Sequence, residues 1–351
     1  MSDKNSASIA LGLIATVVVF YVLAVGKSLL VPIALAVLIW YVINALSRFY
    51  QRLIPGDWVP DWLTLIVAVI TLGIMAVMLI ELIQRNATQV VAAAPGYNAR
   101  IQEILDNTAA LFGVEQPPSI KQMIKSLELG PWLSTFAAAL TSLIGNLGLV
   151  LIYVLFLLLE QNTFSRKIDA LFPHSDRRQS AQDVLQHINN EIQAYLGIKT
   201  LLSVITGLLS YFILRMVGVD YAGFWGVTIF LLNYIPTIGS IIATIFPATL
   251  ALIQFNTVTP AVVVVTSLTA VQFAIGNLLE PRMMGNTLNL SPLVVLLTLA
   301  LWGSIWGVVG MFLSVPLTVI ALIVLSHWEP TRPIAILLSS HGELKTGSRP
   351  D

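Results

Sequence analysis

The chain has 351 residues, a length that would ordinarily suit two soluble domains. Its composition excludes them: 57% of residues are apolar or aromatic, only 10% are charged, and mean hydropathy is +0.86, whereas soluble domains carry roughly 25% charged residues. The 18 basic and 18 acidic residues balance and cysteine is absent, which excludes a strongly basic nucleic-acid binder, a disulfide framework and a thiolate or Cys-metal centre.

The expected architecture is therefore an all-α, polytopic membrane helical bundle. Apolar runs of about 20 residues mark the spans. The first covers residues 9–26 and the second 29–46, read as a retained helical hairpin turning at Lys27-Ser28 rather than a cleaved leader. A third covers 62–83, so that 1–83 form the N-terminal membrane helices. Residues 84–131 are expected to form an extracytoplasmic amphipathic helical segment. There Pro95-Gly96 is expected to break the chain ahead of a helix bearing Ile101, Ile104 and Leu105, and Ser119 to cap a second helix bearing Ile120, Met123, Ile124 and Leu127.

A fourth span lies within 132–160. The linker 161–198 carries a stripe of Val184, Leu185, Ile188, Ile192, Tyr195 and Leu196 that runs straight into a fifth span at 200–217, with Ser180 the expected cap. This helix suits a lever at the membrane surface, a plain connector or an oligomer contact.

Residues 199–328 form the expected transport core, followed by a tail, 329–351. Two apolar segments here are too long for one straight span. At ~1.5 Å per residue, the segment 222–253 would measure roughly 48 Å against a hydrocarbon core of ~30 Å. It is interrupted by Asn233-Tyr234-Ile235-Pro236-Thr237-Ile238-Gly239, and the segment 291–326 by Gly303, Gly307, Gly310 and Pro316. Both patterns fit broken or hairpin helices, or helices merely kinked. With 260–275 the total comes to about eight spanning segments. Placing Arg48, Arg52, Arg166, Lys167, Arg177 and Arg178 in the cytoplasm puts both termini there as well.

Catalysis has no foothold in the motifs. His174, His187, His327 and His341 all lie outside the spans or at their ends, and the chain has no H-E-x-x-H, G-x-S-x-G or P-loop pattern. No enzymatic activity, metal site or cofactor is expected. Polar and breaker residues inside apolar sequence carry the functional signal instead. Pro236 removes a backbone donor and Gly239 allows close approach, so carbonyls freed there need new partners. Asn233 and Tyr234 supply directional contacts. In a second cluster, Gln272 and Asn277 precede Glu280-Pro281-Arg282-Met283-Met284-Gly285. Glu280 and Arg282 are the only charges between Asp220 and Glu329. Intramembrane charges are costly and tend to be paired and functional. Glu280 is thus the candidate proton or cation carrier, with Arg282 as its counter-ion or as a ligand contact, unless the two form an ordinary ion pair in a surface loop. Gly285 closes this cluster. Gly303 and Gly307 make a G-x-x-x-G spacing suited to close helix packing. A brief echo links Phe224-Trp225-Gly226 to Leu301-Trp302-Gly303, each with a proline downstream, but it is too short to establish a repeat.

These motifs resemble the autoinducer-2 exporter family of bacterial inner-membrane permeases. The likeness rests on 233–239, on Asn277-Leu278-Leu279-Glu280-Pro281-Arg282-Met283-Met284-Gly285, on Leu290-Ser291-Pro292 with the apolar run after it, and on Trp302-Gly303 through Val315-Pro316. Asn233 is one departure, standing where many relatives have an apolar residue. The resemblance implies a secondary transporter that exports the quorum-sensing signal autoinducer-2, a small polyhydroxylated molecule. It also implies homo-oligomers, including pentamers, in the cytoplasmic membrane. Sodium/proton antiport is the alternative activity within the family, and a non-transporting membrane scaffold is the rival outside it. The expected partners are a small polar substrate, a proton or sodium ion, the lipid bilayer and further copies of the chain, and no nucleic acid. A Glu280→Gln change is expected to abolish gradient-driven flux while sparing the fold.

Overall fold

A computed structural model describes residues 2–53, 60–111, 147–172, 175–255, 257–285, 288–340, 342 and 344. Every regular element among them is helical: α1 (Ser2–Val25), α2 (Lys27–Leu53), α3 (Asp61–Leu111), α4 (Leu147–Leu171), α5 (Ser175–Val217), α6 (Ala222–Leu232), α7 (Ile238–Gln254), α8 (Thr259–Phe273), a π-helical turn (Ala274–Leu279), α9 (Glu280–Met284), α10 (Pro292–Ser326) and α11 (Arg332–Leu338). The only strand-like pairing among the described residues is an isolated bridge between Leu290 and Ser339. Five helical stretches are long and apolar enough to cross a membrane, and four shorter apolar helices accompany them.

The chain divides into two compact units. One comprises residues 1–45, 146–195 and 286–351, the other 46–145 and 196–285. In the first, the Trp306 indole donates to the Leu23 carbonyl at 2.9 Å, the Trp40 indole to Gln161 at 3.0 Å, and the Tyr41 hydroxyl to Asn189 at 2.6 Å. Indole and phenol groups thus find acceptors where burial would otherwise strand their donors. Ile192, Tyr195, Leu299 and Leu313 belong to its core. In the second unit, Leu202, Leu214, Phe224, Trp225, Ile229, Val264 and Leu268 are almost fully buried. Its α7 packs against both α6 and α8.

Several sequence expectations need correction. Lys27 and Ser28 are not the turn between the first two runs, since both are helical in α2. The break falls one residue earlier, at Gly26, which donates to Val22 at 2.8 Å at the end of α1 and accepts from Leu30 at 2.9 Å at the start of α2. Pro95-Gly96 does not break the chain either, because α3 continues through it to Leu111. Helix α5 begins at Ser175, which leaves Ser180 inside the helix rather than at its cap. The linker's stripe runs on into the fifth span within this single helix, and along it Ile192, Tyr195 and Leu196 are buried. The expected helix capped by Ser119 and the first half of the fourth span lie outside the described residues.

Both overlong segments are interrupted, as their length demanded. The first divides into α6 and α7 around Asn233–Thr237, and Pro236 cannot continue the helical ladder. Ile238 donates to the Pro236 carbonyl at 2.6 Å around Thr237, whose φ of 59° and ψ of −59° make a classic γ-turn, a rare and strained form. Gly239 then lies so close to the end of α6 that a Cβ there would overlap the Leu232 carbonyl. The second break falls at Gly307, with φ 63° and ψ −142°, inside α10. Gly310 lies against the Trp302 carbonyl, where again a Cβ would overlap. Residues eight apart in a straight helix are separated by ~12 Å, so the chain bends sharply here. Each break is therefore closed by a glycine seated on a carbonyl of the preceding helical stretch. Gly307 serves by its conformation rather than by close packing, since nothing lies within 4 Å of its Cβ position. A Cβ on Gly303 would stand 3.0 Å from the side chain of Met311, which lies on the far side of the bend in the same helix. Pro316 stays buried within the continuing α10 and makes no break of its own.

Candidate functional site

The site lies in the second unit and is organised by α5. Its buried face presents Lys199, Ser203, Thr206, Gly207 and Ser210, at helical spacings of three and four residues. Lys199 is 5% exposed, and Ser203, Thr206 and Ser210 are fully buried. A lysine in such a place needs an anion, and Glu280 supplies it. The Lys199 Nζ donates to Oε1 at 2.7 Å and to Oε2 at 2.9 Å, with the two side chains 6% and 21% exposed.

Glu280 is delivered to this point by local backbone geometry. It opens α9 directly after the π-helical turn at Ala274–Leu279, and the whole run from Thr259 to Met284 is apolar enough to span a membrane. π-Helical turns cost hydrogen-bond quality and recur at functional sites. Glu280 therefore stands on a helix, which overturns the reading of a surface loop. Its ion-pair partner is Lys199 and not Arg282, which is exposed. Gly285 ends α9 with φ 51° and nothing close to its Cβ position, so its role is conformational.

The broken helix comes to the same stretch of α5. The Asn233 amide donates to the Ser203 hydroxyl at 2.9 Å. The Tyr234 hydroxyl donates to Thr200 Oγ1 at 2.7 Å, and Thr200 in turn donates to the Leu196 carbonyl at 2.6 Å. Tyr234 also meets Phe230 edge-on, with ring centroids 5.9 Å apart. Three candidates named from sequence (Asn233, Tyr234 and Glu280) thus converge on Lys199, Thr200 and Ser203. Pro236 and Gly239 shape the turn that delivers the first two. Gln272 and Asn277 take no part in these contacts. Sequence reasoning missed Lys199, Thr200 and Ser203. Lys199 was the legible signal: a lone cation at the start of an apolar run, which burial obliges to find an acid.

Chemically the site is a buried, net-neutral ion pair beside neutral donors and acceptors. Breaking such a pair by neutralising one partner leaves an uncompensated charge in a low-dielectric place. Asn233, Tyr234, Thr200 and Ser203 offer hydrogen bonds without charge, which suits hydroxyl or carbonyl groups of a neutral solute. Among the described residues no group of three or more His, Asp or Glu side chains is placed to hold a metal ion.

Comparison with known proteins gives a consistent picture. The family model for AI-2E family transporters matches residues 13–329. The AI-2 transport protein TqsA of Escherichia coli is 31% identical over 342 residues, covering 95% of this chain and 96% of that protein. A Haemophilus influenzae protein provisionally named a transport protein is 29% identical, covering 98% of this chain and 99% of its own. YhhT of Escherichia coli, also provisionally named a transport protein, is 30% identical over 346 residues, covering 96% and 95%.

Proposed function

The chain belongs to the AI-2E family of transporters, a multi-pass membrane protein, and from that premise we propose that it is a proton-coupled secondary exporter of a small polar metabolite, with autoinducer-2 as the first candidate. It works in the bacterial cytoplasmic membrane, with both termini in the cytoplasm, as a homo-oligomer. The observation that carries this reading is the buried Lys199–Glu280 pair beside the turn of the broken helix. A proton arriving on Glu280 cancels the carboxylate that holds Lys199. The ammonium must then find another partner, and the cheapest response is rearrangement of the elements that carry the two groups. Asn233 and Tyr234 lie one and two residues past the end of α6, so the same rearrangement exchanges their bonds to α5 for bonds to a hydroxylated solute. A transition of this kind couples a proton to a neutral substrate without requiring any charge on the substrate.

The test is efflux of autoinducer-2 from proteoliposomes under an imposed pH gradient. Wild-type protein gives gradient-driven flux, and K199Q/E280Q, which keeps a hydrogen-bonding pair without titration, gives none. Gradient-driven flux that survives in K199Q/E280Q overturns the coupling role. Proton movement evoked by sodium alone, with no metabolite flux, replaces the reading with sodium/proton antiport.

A further inference from the structure

Helix α10 ends close to where it begins. As a straight rod, Pro292–Ser326 would measure about 52 Å. Yet the Ser291 amide, just before α10, donates at 3.1 Å to the carbonyl of Leu338, beyond its far end. The Ser340 amide donates to the Asn289 carbonyl at 3.2 Å, Ser340 Oγ donates to Asn289 Oδ1 at 2.8 Å, and Leu290 bridges to Ser339. Between Ser326 and Leu338 the chain winds Arg332–Leu338 into α11, so this segment reaches at most about 28 Å. Leu288 and Asn289 also line one small cavity with Val319, Leu322, Ile323 and Ser326, on the last turns of α10. The start and finish of the helix therefore lie side by side.

The fold-back has its tip at Gly307. On either side of it, residues eight apart come together, Trp302 with Gly310 and Gly303 with Met311. The two arms, 292–306 and 308–326, are about 22 Å and about 28 Å long, against a hydrocarbon core of ~30 Å. No Asp, Glu, Lys or Arg lies between Arg282 and Glu329, so both arms suit that core. The base is tied by backbone hydrogen bonds. The tip is tied to α1 through a side chain, the Trp306 indole donating to the Leu23 carbonyl at 2.9 Å. Leu23 stands three residues before Gly26, where α1 gives way to α2.

Gly307 is exposed, as are Ser304 and Val308 beside it, and nothing lies within 4 Å of the Gly307 Cβ position. Irregular backbone at membrane depth does not face lipid. It is found where protein buries it or where it lines water. We infer that α10 is a re-entrant hairpin, entering and leaving the membrane on one side, that its Gly307 tip lines a water-filled path, and that the Trp306–Leu23 hydrogen bond latches this tip to α1. The role of the tip as a gate rests on the transport reading, whereas the fold-back and its contact with water do not.

The chain has no native cysteine, so single cysteines report without background. S291C and E329C flank α10. In right-side-out and inverted vesicles, a membrane-impermeant maleimide is expected to label both from the same side. Labelling from opposite sides makes α10 an ordinary span and overturns the hairpin. At the tip, S304C and V308C are treated with a charged methanethiosulfonate, with L155C, 56% exposed on the apolar α4, as the lipid-facing control. A thiol in apolar surroundings is held protonated, and one unit of thiol pKa is about tenfold in reactive thiolate. The tip positions are expected to react at least about tenfold faster than the control. Equal rates overturn the water path. Tip reactivity that emerges only when oligomers are dissociated assigns the cover to a second copy of the chain, and overturns it too.

W306F keeps an aromatic ring and removes the donor. It is expected to speed labelling of S304C about fivefold, the effect of losing one ordinary hydrogen bond. An unchanged rate overturns the latch. Hydrogen–deuterium exchange of the unmodified protein needs no variant to fold: amides of 305–309 are expected to exchange faster than those of 295–300 and 314–320 in the arms. Equal protection overturns the water-lined tip. If the tip is unreactive while autoinducer-2 efflux persists, this inference is wrong and the transport reading stands. If the tip reacts as expected while efflux is absent, the hairpin stands without its gate.

Discussion

One ammonium serves both oxygens of one carboxylate: Lys199 Nζ lies 2.7 Å from Oε1 and 2.9 Å from Oε2 of Glu280, across 81 positions of sequence. The pair is nearly closed to solvent, so its two charges depend on each other more than an exposed pair would. Single substitutions at either end are therefore expected to behave differently from the double.

K199M leaves the carboxylate of Glu280 uncompensated, and E280Q does the same to the ammonium. Each single change is expected to lower stability by about 3–5 kcal/mol, whereas K199M/E280M returns to the wild-type value or above. Thermal unfolding of the detergent-solubilised protein reads this directly. Non-recovery in the double variant would show that the two side chains are not energetically coupled. The same reasoning revises the expectation that Glu280→Gln spares the fold, and makes the paired glutamines the cleaner transport control.

The glycines that close the two helix breaks should be intolerant in a position-specific way. G239A forces a methyl onto the Leu232 carbonyl, and G310A forces one onto the Trp302 carbonyl. Both are expected to reduce the yield of folded protein severely. G276A and G148A, where nothing lies within 4 Å of the added carbon, should be neutral. Fluorescence-detected size-exclusion chromatography of the four variants decides the matter.

Gly307 tests conformation without crowding. Its φ of 63° and ψ of −142° fall in a region that only glycine occupies comfortably, and space around it is open. G307A is expected to cost about 1–3 kcal/mol through the backbone alone. A lowered melting temperature with an unchanged chromatographic profile is the expected signature.

Y234F removes the hydroxyl that donates to Thr200, at a net cost of about 1 kcal/mol. Stability should fall only slightly. If Tyr234 contacts solute, the transport KM should rise more than the stability loss accounts for. An unchanged KM would reduce Tyr234 to a strut.

The sequence made the helix breaks readable because their cause is local. Pro236 cannot donate, Gly239 and Gly307 do what other residues cannot, and excess apolar length required an interruption somewhere. Glu280 stood out because charge is so scarce around it. Lys199 did not, since its meaning depends on a partner brought near only by folding. The passage of α3 through Pro95-Gly96 was hidden as well. Proline and glycine state a local preference, and the surroundings of a long helix can override it. Arg282 attracted attention by proximity in sequence, a poor guide where neighbouring helical positions point in different directions.

Lys199, Thr200 and Ser203 occupy little more than one turn of α5, and through them that turn holds α9 by charge and the start of the broken-helix turn by two hydrogen bonds. Sliding α5 by one turn, ~5.4 Å, exceeds the reach of each of these contacts, so a movement of that size would give up the ion pair and both hydrogen bonds together.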